Sequence, residues 1–219
     1  MMTRFAPRSE YSRAERLSDA AVHVSGAAAT VCGVPILIAL TVLWRGDGMA
    51  ITGAAIYGAT LMAMIFCSAI YHIIPHPGRK AFFRRLDHSA IYCKIAGTYS
   101  AITLISGQGL ALMAALWAAA LCGTALKLHS PDKFRWGALA LYLGMGWLGV
   151  ILGWPVFCDL PWQVLALIGL GGTLYTIGVA FFLCESLPFH NTIWHVFVLA
   201  ASIIVYAAVM ILVARSATA

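Results

Sequence analysis

The chain has 219 residues, of which 62% are hydrophobic and only 10% charged, with a formal charge of +6 and a mean hydropathy of +0.88. A soluble domain carries about 25% charged residues, so a water-soluble globule is excluded and a lipid-facing exterior is implied. In such a chain an excess of positive charge reports membrane topology and does not point to nucleic acid.

Lipid offers no hydrogen bonds, so a spanning backbone must form helices or a closed barrel. The apolar runs are continuous and do not alternate, which predicts helices. Crossing a core of about 30 Å takes roughly 20 helical residues. The first predicted span runs from Ala21 to Trp44 and ends at Arg45-Gly46-Asp47-Gly48. It follows a polar stretch, residues 1–20, expected to be a short cytoplasmic tail with no cleavable signal peptide, in which YSRAERLSDA is a candidate interfacial helix. The second span runs from Met49 to Ile74 and is closed by Pro75-His76-Pro77-Gly78. The third runs from Leu86 to Ile105, the fourth from Leu110 to Leu126 and the fifth from Trp136 to Trp154, where Pro155 ends it. The sixth spans Pro161 to Cys184. The seventh starts near Pro188, since proline suits a first helical turn, and reaches Ala214, leaving residues 215–219 as a tail. The expected fold is therefore an all-α integral membrane bundle of seven transmembrane helices.

Loop charges orient it. With the N-terminus in the cytoplasm, that side carries Arg4, Arg8, Arg13, Arg16, Arg79, Lys80, Arg84, Arg85, Lys127, Lys133 and Arg135. The other side carries Arg45 and Arg215. Eleven against two places the N-terminus inside and, after seven spans, the C-terminus outside. The expected location is the inner (plasma) membrane, with the basic loops touching anionic lipid headgroups. Trp44, Trp136, Trp154 and Trp162 fall near span ends and fit an interfacial belt. The six cysteines are spread singly with no C-x-x-C pair, which supports neither a zinc ribbon nor a redox motif.

Ionisable groups inside a span are costly and mark candidate function. Ser68 and His72 share a face of the second span, four residues apart. Asp87 begins the predicted third span, where the helix N-terminus alone would favour a carboxylate; His88, about 100° away, reads as an interface residue. Lys94, seven residues after Asp87, faces nearly the same way. It either snorkels or pairs with a polar neighbour, or it tunes Asp87 or holds an anionic lipid group. Asn191 and His195 share a face of the seventh span, and His190 reaches the same centre only if the first turn is irregular. The alternation of spans puts all three clusters at the cytoplasmic end. Histidines and an acid at one depth of a helical bundle suit Zn2+, with three protein ligands and an open water position.

The stretches ERLSDAAVH, SAIYH, RLDHSAIYCKIAGTYS and NTIWHVFVLAAS, in this order over nearly the whole chain, resemble the haemolysin III family, the bacterial branch of the progestin and adipoQ receptor superfamily. The resemblance implies a zinc site from one histidine of the second span and two polar positions of the seventh, with an acid holding the zinc-bound water. His72 then matches the first ligand, His195 the last, Asp87 the acid and Ser68 the serine of that constellation. The remaining position, normally the first histidine of H-x-x-x-H, is Asn191, with His190 beside it. Either His190 substitutes, the metal binds more weakly, or water fills the gap. A further histidine later in the helix is replaced by the stretch around Ile204, Val205 and Tyr206, and Ser100-Ala101 stands where a proline often follows IAGTY. The implied functions are a zinc-dependent intramembrane hydrolase of a lipid amide or ester, or a membrane-lipid homeostasis protein. A pore-forming cytolysin and a sensor of membrane state with a structural zinc are the alternatives.

Overall fold

The computed structural model describes residues 11–75, 78–129 and 135–217. Arg4, Arg8, His76, Pro77, Pro131, Asp132, Lys133 and the side chain of Arg135 lie outside the described residues. Within them the chain forms eight helices and no strand: α1 (Arg13–Trp44), α2 (Gly48–Ile73), α3 (Lys80–Ser106), α4 (Leu110–His129), α5 (Arg135–Leu152), the single turn α6 (Trp154–Phe157), α7 (Trp162–Leu183) and α8 (His190–Ser216). Five of them, α1, α2, α4, α7 and α8, are long and apolar enough to cross a bilayer. The apolar stretch of α5, Trp136–Leu152, is shorter. Helix α3 is 27 residues long but carries Lys80, Arg84, Arg85, Asp87 and Lys94.

Two helix starts differ from the predicted ones. Hydropathy marks where lipid contact begins, whereas a helix continues outward as long as its polar turns find partners. Helix α1 begins at Arg13, inside the expected tail, because Ser12 and Glu15 form a capping box: Ser12 N–H donates to Glu15 Oε2 at 2.8 Å and Glu15 N–H to Ser12 Oγ at 3.2 Å. Helix α3 begins at Lys80, so Asp87 lies two turns inside it and not at its N-terminus. A helix-dipole explanation for this acid, confined to the first turn, is thereby removed.

Other boundaries follow local chemistry. Asp47 caps α2 by accepting from Ala50 N–H at 2.8 Å. Gly107, left-handed at φ 74°, closes α3. Pro155 in the first turn of α6 stops α5 from continuing. Phe189, a non-glycine residue at φ 60°, forms the irregular entry to α8.

Leu43, Leu121 and Leu152 are 65–77% exposed, a distribution that water would penalise and lipid does not. Trp44, Trp136, Trp154 and Trp162 are exposed at helix ends, as an interfacial belt requires. Helix–helix approach rests on small residues, the usual device in lipid. A side chain at Gly97 of α3 would collide with Thr60 of α2, and one at Gly58 of α2 with Val34 of α1. The resulting order, α1 against α2, α2 against α3 and α8 against both α1 and α7, brings three sequence-distant helices around one interior space. All six cysteines are free thiols.

Candidate metal centre

The first turns of α1 carry Asp19 and His23, four residues apart and therefore on one face. Helix α8 packs on that face and adds His195; α2 adds His72 from its last turn. Each of the four residues offers a ligand atom, and these atoms all lie within 4.8 Å of one another. The Asp19 carboxylate is the hub. Its Oδ1 accepts from His195 Nδ1 at 2.6 Å, while its Oδ2 lies 3.3 Å from His72 Nδ1 and 3.6 Å from His23 Nε2. The rings crowd together, with centroids 4.4 Å apart for His23–His195, 4.5 Å for His72–His195 and 5.1 Å for His23–His72. Asp19, His23 and His195 are buried and His72 is partly so.

Three imidazoles and one carboxylate are a donor set suited to zinc. Tetrahedral bonds of about 2.0–2.1 Å space ligands roughly 3.3 Å apart, so side-chain shifts of the order of 1 Å would close this group on an ion. His23 Nε2 supports the fit: it is buried and makes no hydrogen bond, which is costly unless something else satisfies it.

The other expected site residues surround this group. Asp87 is buried and lies near Ser68, His72 and His23. Ser68, Asp87, His72, His195, His190 and Asn191 all line one cavity of about 740 Å3 that also reaches the apolar walls of α5 and α7. His190 belongs to that wall but not to the four-residue group; its Nε2 is 3.0 Å from the Tyr11 hydroxyl. His88 is half-buried at the same cavity, and its carbonyl accepts from the Tyr142 hydroxyl at 3.0 Å. Asp19 and His23 were not among the sequence-derived candidates. Their signal was the i, i+4 acid–histidine pair within ERLSDAAVH. Assigning residues 1–20 to a tail removed Asp19 from the bundle.

A clasp holds α1 and α8 in this register. Glu15 Oε1 accepts from the backbone N–H of Phe189 at 2.9 Å, and Ser18 Oγ meets Thr192 Oγ1 at 3.0 Å. The same carboxylate that caps α1 thus satisfies the irregular entry of α8.

Residues 13–206 match the family model described as haemolysin-III related. The chain belongs to that family. It is similar to "Hemolysin-3" of Bacillus cereus, with 34% identity over 93% of this chain and 94% of the relative. It is also similar to "Hemolysin-3 homolog" of Bacillus subtilis, 34% identical over 86% and 89% of the two chains. The human "Monocyte to macrophage differentiation factor" is 29% identical over 75% of this chain and 72% of its own length. Similarity to a mammalian protein of this kind agrees with membership of the progestin and adipoQ receptor superfamily. The match begins at Arg13 and so includes the turns that carry Asp19 and His23.

Proposed function

We propose that this membrane protein is a zinc-dependent intramembrane hydrolase of a lipid amide or ester, serving membrane-lipid homeostasis. The observation that carries the reading is the convergence of Asp19, His23, His72 and His195 within 4.8 Å at a wide cavity with apolar walls. Pockets of a few hundred to about 1,000 Å3 accommodate one small organic ligand, and a volume of 740 Å3 falls in that range.

In this reading the three imidazoles hold the ion. Asp19 orients them, since its shortest contact, to His195 Nδ1, has the form of the carboxylate–histidine pair that fixes ring tautomer beside a metal. Bound there, zinc supplies Lewis acidity and brings the pKa of a coordinated water towards 7. Asp87 takes or holds a proton at its carboxylate, and Ser68 orients that carboxylate by hydrogen bonding. Asn191 offers the cavity a neutral amide, and the His190–Tyr11 pair fixes the neighbouring wall. Burial of Asp19, His23 and His195 strengthens each of these interactions.

The same reading places seven spans in the inner membrane, with the N-terminus cytoplasmic and the C-terminus outside. Helices α3 and α5 complete the count, with Asp87 and Lys94 of α3 buried inside the bundle. The basic start of α3, where Lys80 is exposed, then meets anionic headgroups, whereas Lys127 at the end of α4 is buried. Metal analysis of detergent-purified protein is the test. About one zinc per chain in the wild type, lost in His72→Ala and His195→Ala, is expected; zinc-free wild type, or equal zinc in both variants, overturns it.

A further inference from the structure

Lys94 stands seven residues beyond Asp87 on α3, about 10 Å further along the helix axis. It is only 4% exposed. Among the described residues its ammonium makes no ion pair and no hydrogen bond; its partner is the face of Tyr175 on α7, 4.6 Å from the ring centroid. A ring face attracts a cation but replaces only part of the hydration an ammonium loses on burial. The counter-charge has room to arrive from one direction. Lys94 and Tyr175 both line the 740 Å3 cavity, whose walls elsewhere include Ile95, Leu165, Ile168 and Val198.

We propose that Lys94, backed by Tyr175, is the anion-binding subsite of this cavity, and that the occupant is a single-chain amphiphile with a carboxylate or phosphate head. The ammonium pairs with the head, and the alkyl chain lies against the apolar walls of α3, α7 and α8. The subsite needs no metal ion and goes beyond the hydrolase reading. It selects by charge, whereas an apolar cavity alone would take neutral chains equally well.

The test uses the full chain in nanodiscs of zwitterionic phosphatidylcholine, with radiolabelled dodecanoate as probe and empty nanodiscs to subtract partitioning. Saturable binding is expected, weakened at least tenfold by Lys94→Met and retained by Lys94→Arg. Unlabelled dodecyl phosphate and dodecanoate are expected to displace the probe, and dodecanol at least tenfold less well. The stronger of the two anionic competitors identifies the preferred head. If neither anion binds above empty nanodiscs, if Lys94→Met binds as tightly as wild type, or if dodecanol competes equally, the proposal is overturned. Should Lys94→Met fail to fold, the anion-to-alcohol ratio in the wild type decides alone. Wild-type protein treated with a chelator, whatever its prior zinc content, is expected to bind dodecanoate unchanged, so the fate of this subsite and that of the metal centre are read separately; loss of binding there overturns the subsite as stated.

Discussion

His195 Nδ1 sits 2.6 Å from Asp19 Oδ1, a contact between residues 176 positions apart that closes the first long helix against the last. It joins a carboxylate at the start of α1 to an imidazole near the start of α8. Both become buried in doing so, and a buried charge persists only when paired or coordinated.

The ligand set is separable by substitution. His23→Ala removes an imidazole from the group and is expected to abolish stoichiometric zinc. Asp19→Asn removes only the orienting charge and is expected to weaken zinc about 10- to 100-fold. Asn191→Ala removes only a neutral amide at the same cavity and is expected to weaken zinc less than His23→Ala does. Competition with a graded series of chelators gives the three values; full zinc retention in His23→Ala would remove α1 from the site.

Asp87 and Ser68 act on the chemistry and not on metal retention. Asp87→Asn is expected to keep zinc and to lower hydrolysis of a fluorogenic lipid amide by about 100-fold or more, the range for a positioned acid–base group. Ser68→Ala is expected to fall between Asp87→Asn and wild type. Undiminished turnover in Asp87→Asn would leave the carboxylate without its assigned role.

Glu15 is 4% exposed and uses both oxygens, one on Ser12 N–H and one on Phe189 N–H. Glu15→Ala removes the acceptor of both donors, and since water can partly replace it each lost hydrogen bond costs about 0.5–1.5 kcal/mol. Glu15→Gln keeps one accepting oxygen and is expected to cost less. Thermal unfolding in detergent should rank wild type above Glu15→Gln above Glu15→Ala; a Glu15→Ala protein as stable as wild type would dismiss the clasp.

On the opposite side of the bundle, the hydrogen bond from Ala50 N–H, with further help from Arg45, holds the Asp47 carboxyl below its ordinary value. A depressed carboxyl stabilises the fold above the unfolded value of about 3.9 and ceases to do so as pH falls through the folded value. Asp47→Ala is expected to cost about 0.5–2 kcal/mol at neutral pH, the usual loss for an N-cap acid. The gap between variant and wild type should narrow below about pH 4. A gap that stays constant down to pH 2 would mean that the charged form contributes nothing.

How much of this was legible beforehand follows from the range of each interaction. That α1, α2, α4, α7 and α8 are membrane helices is written in runs of about 20 apolar residues, because transfer into lipid is a local property of the segment. The shared depth of His72, Asp87 and His195 is legible too, since alternating spans return the chain to the same side. The helix starts at Arg13 and Lys80 escaped hydropathy because a helix can continue through polar turns beyond its apolar stretch, as the Ser12–Glu15 capping box lets α1 do.

Which helices touch was decided only in three dimensions. Nothing within ERLSDAAVH says that it packs on the entry to α8; that depends on Glu15 reaching Phe189 and on small residues elsewhere admitting close helix approach. The rotation of α8 that points His195 at Asp19 and His190 at Tyr11 is likewise set by packing across the bundle. Periodicity along a chain determines what each helix exposes, whereas contacts between helices far apart in sequence determine which of those faces meet, and the metal centre is made of such meetings.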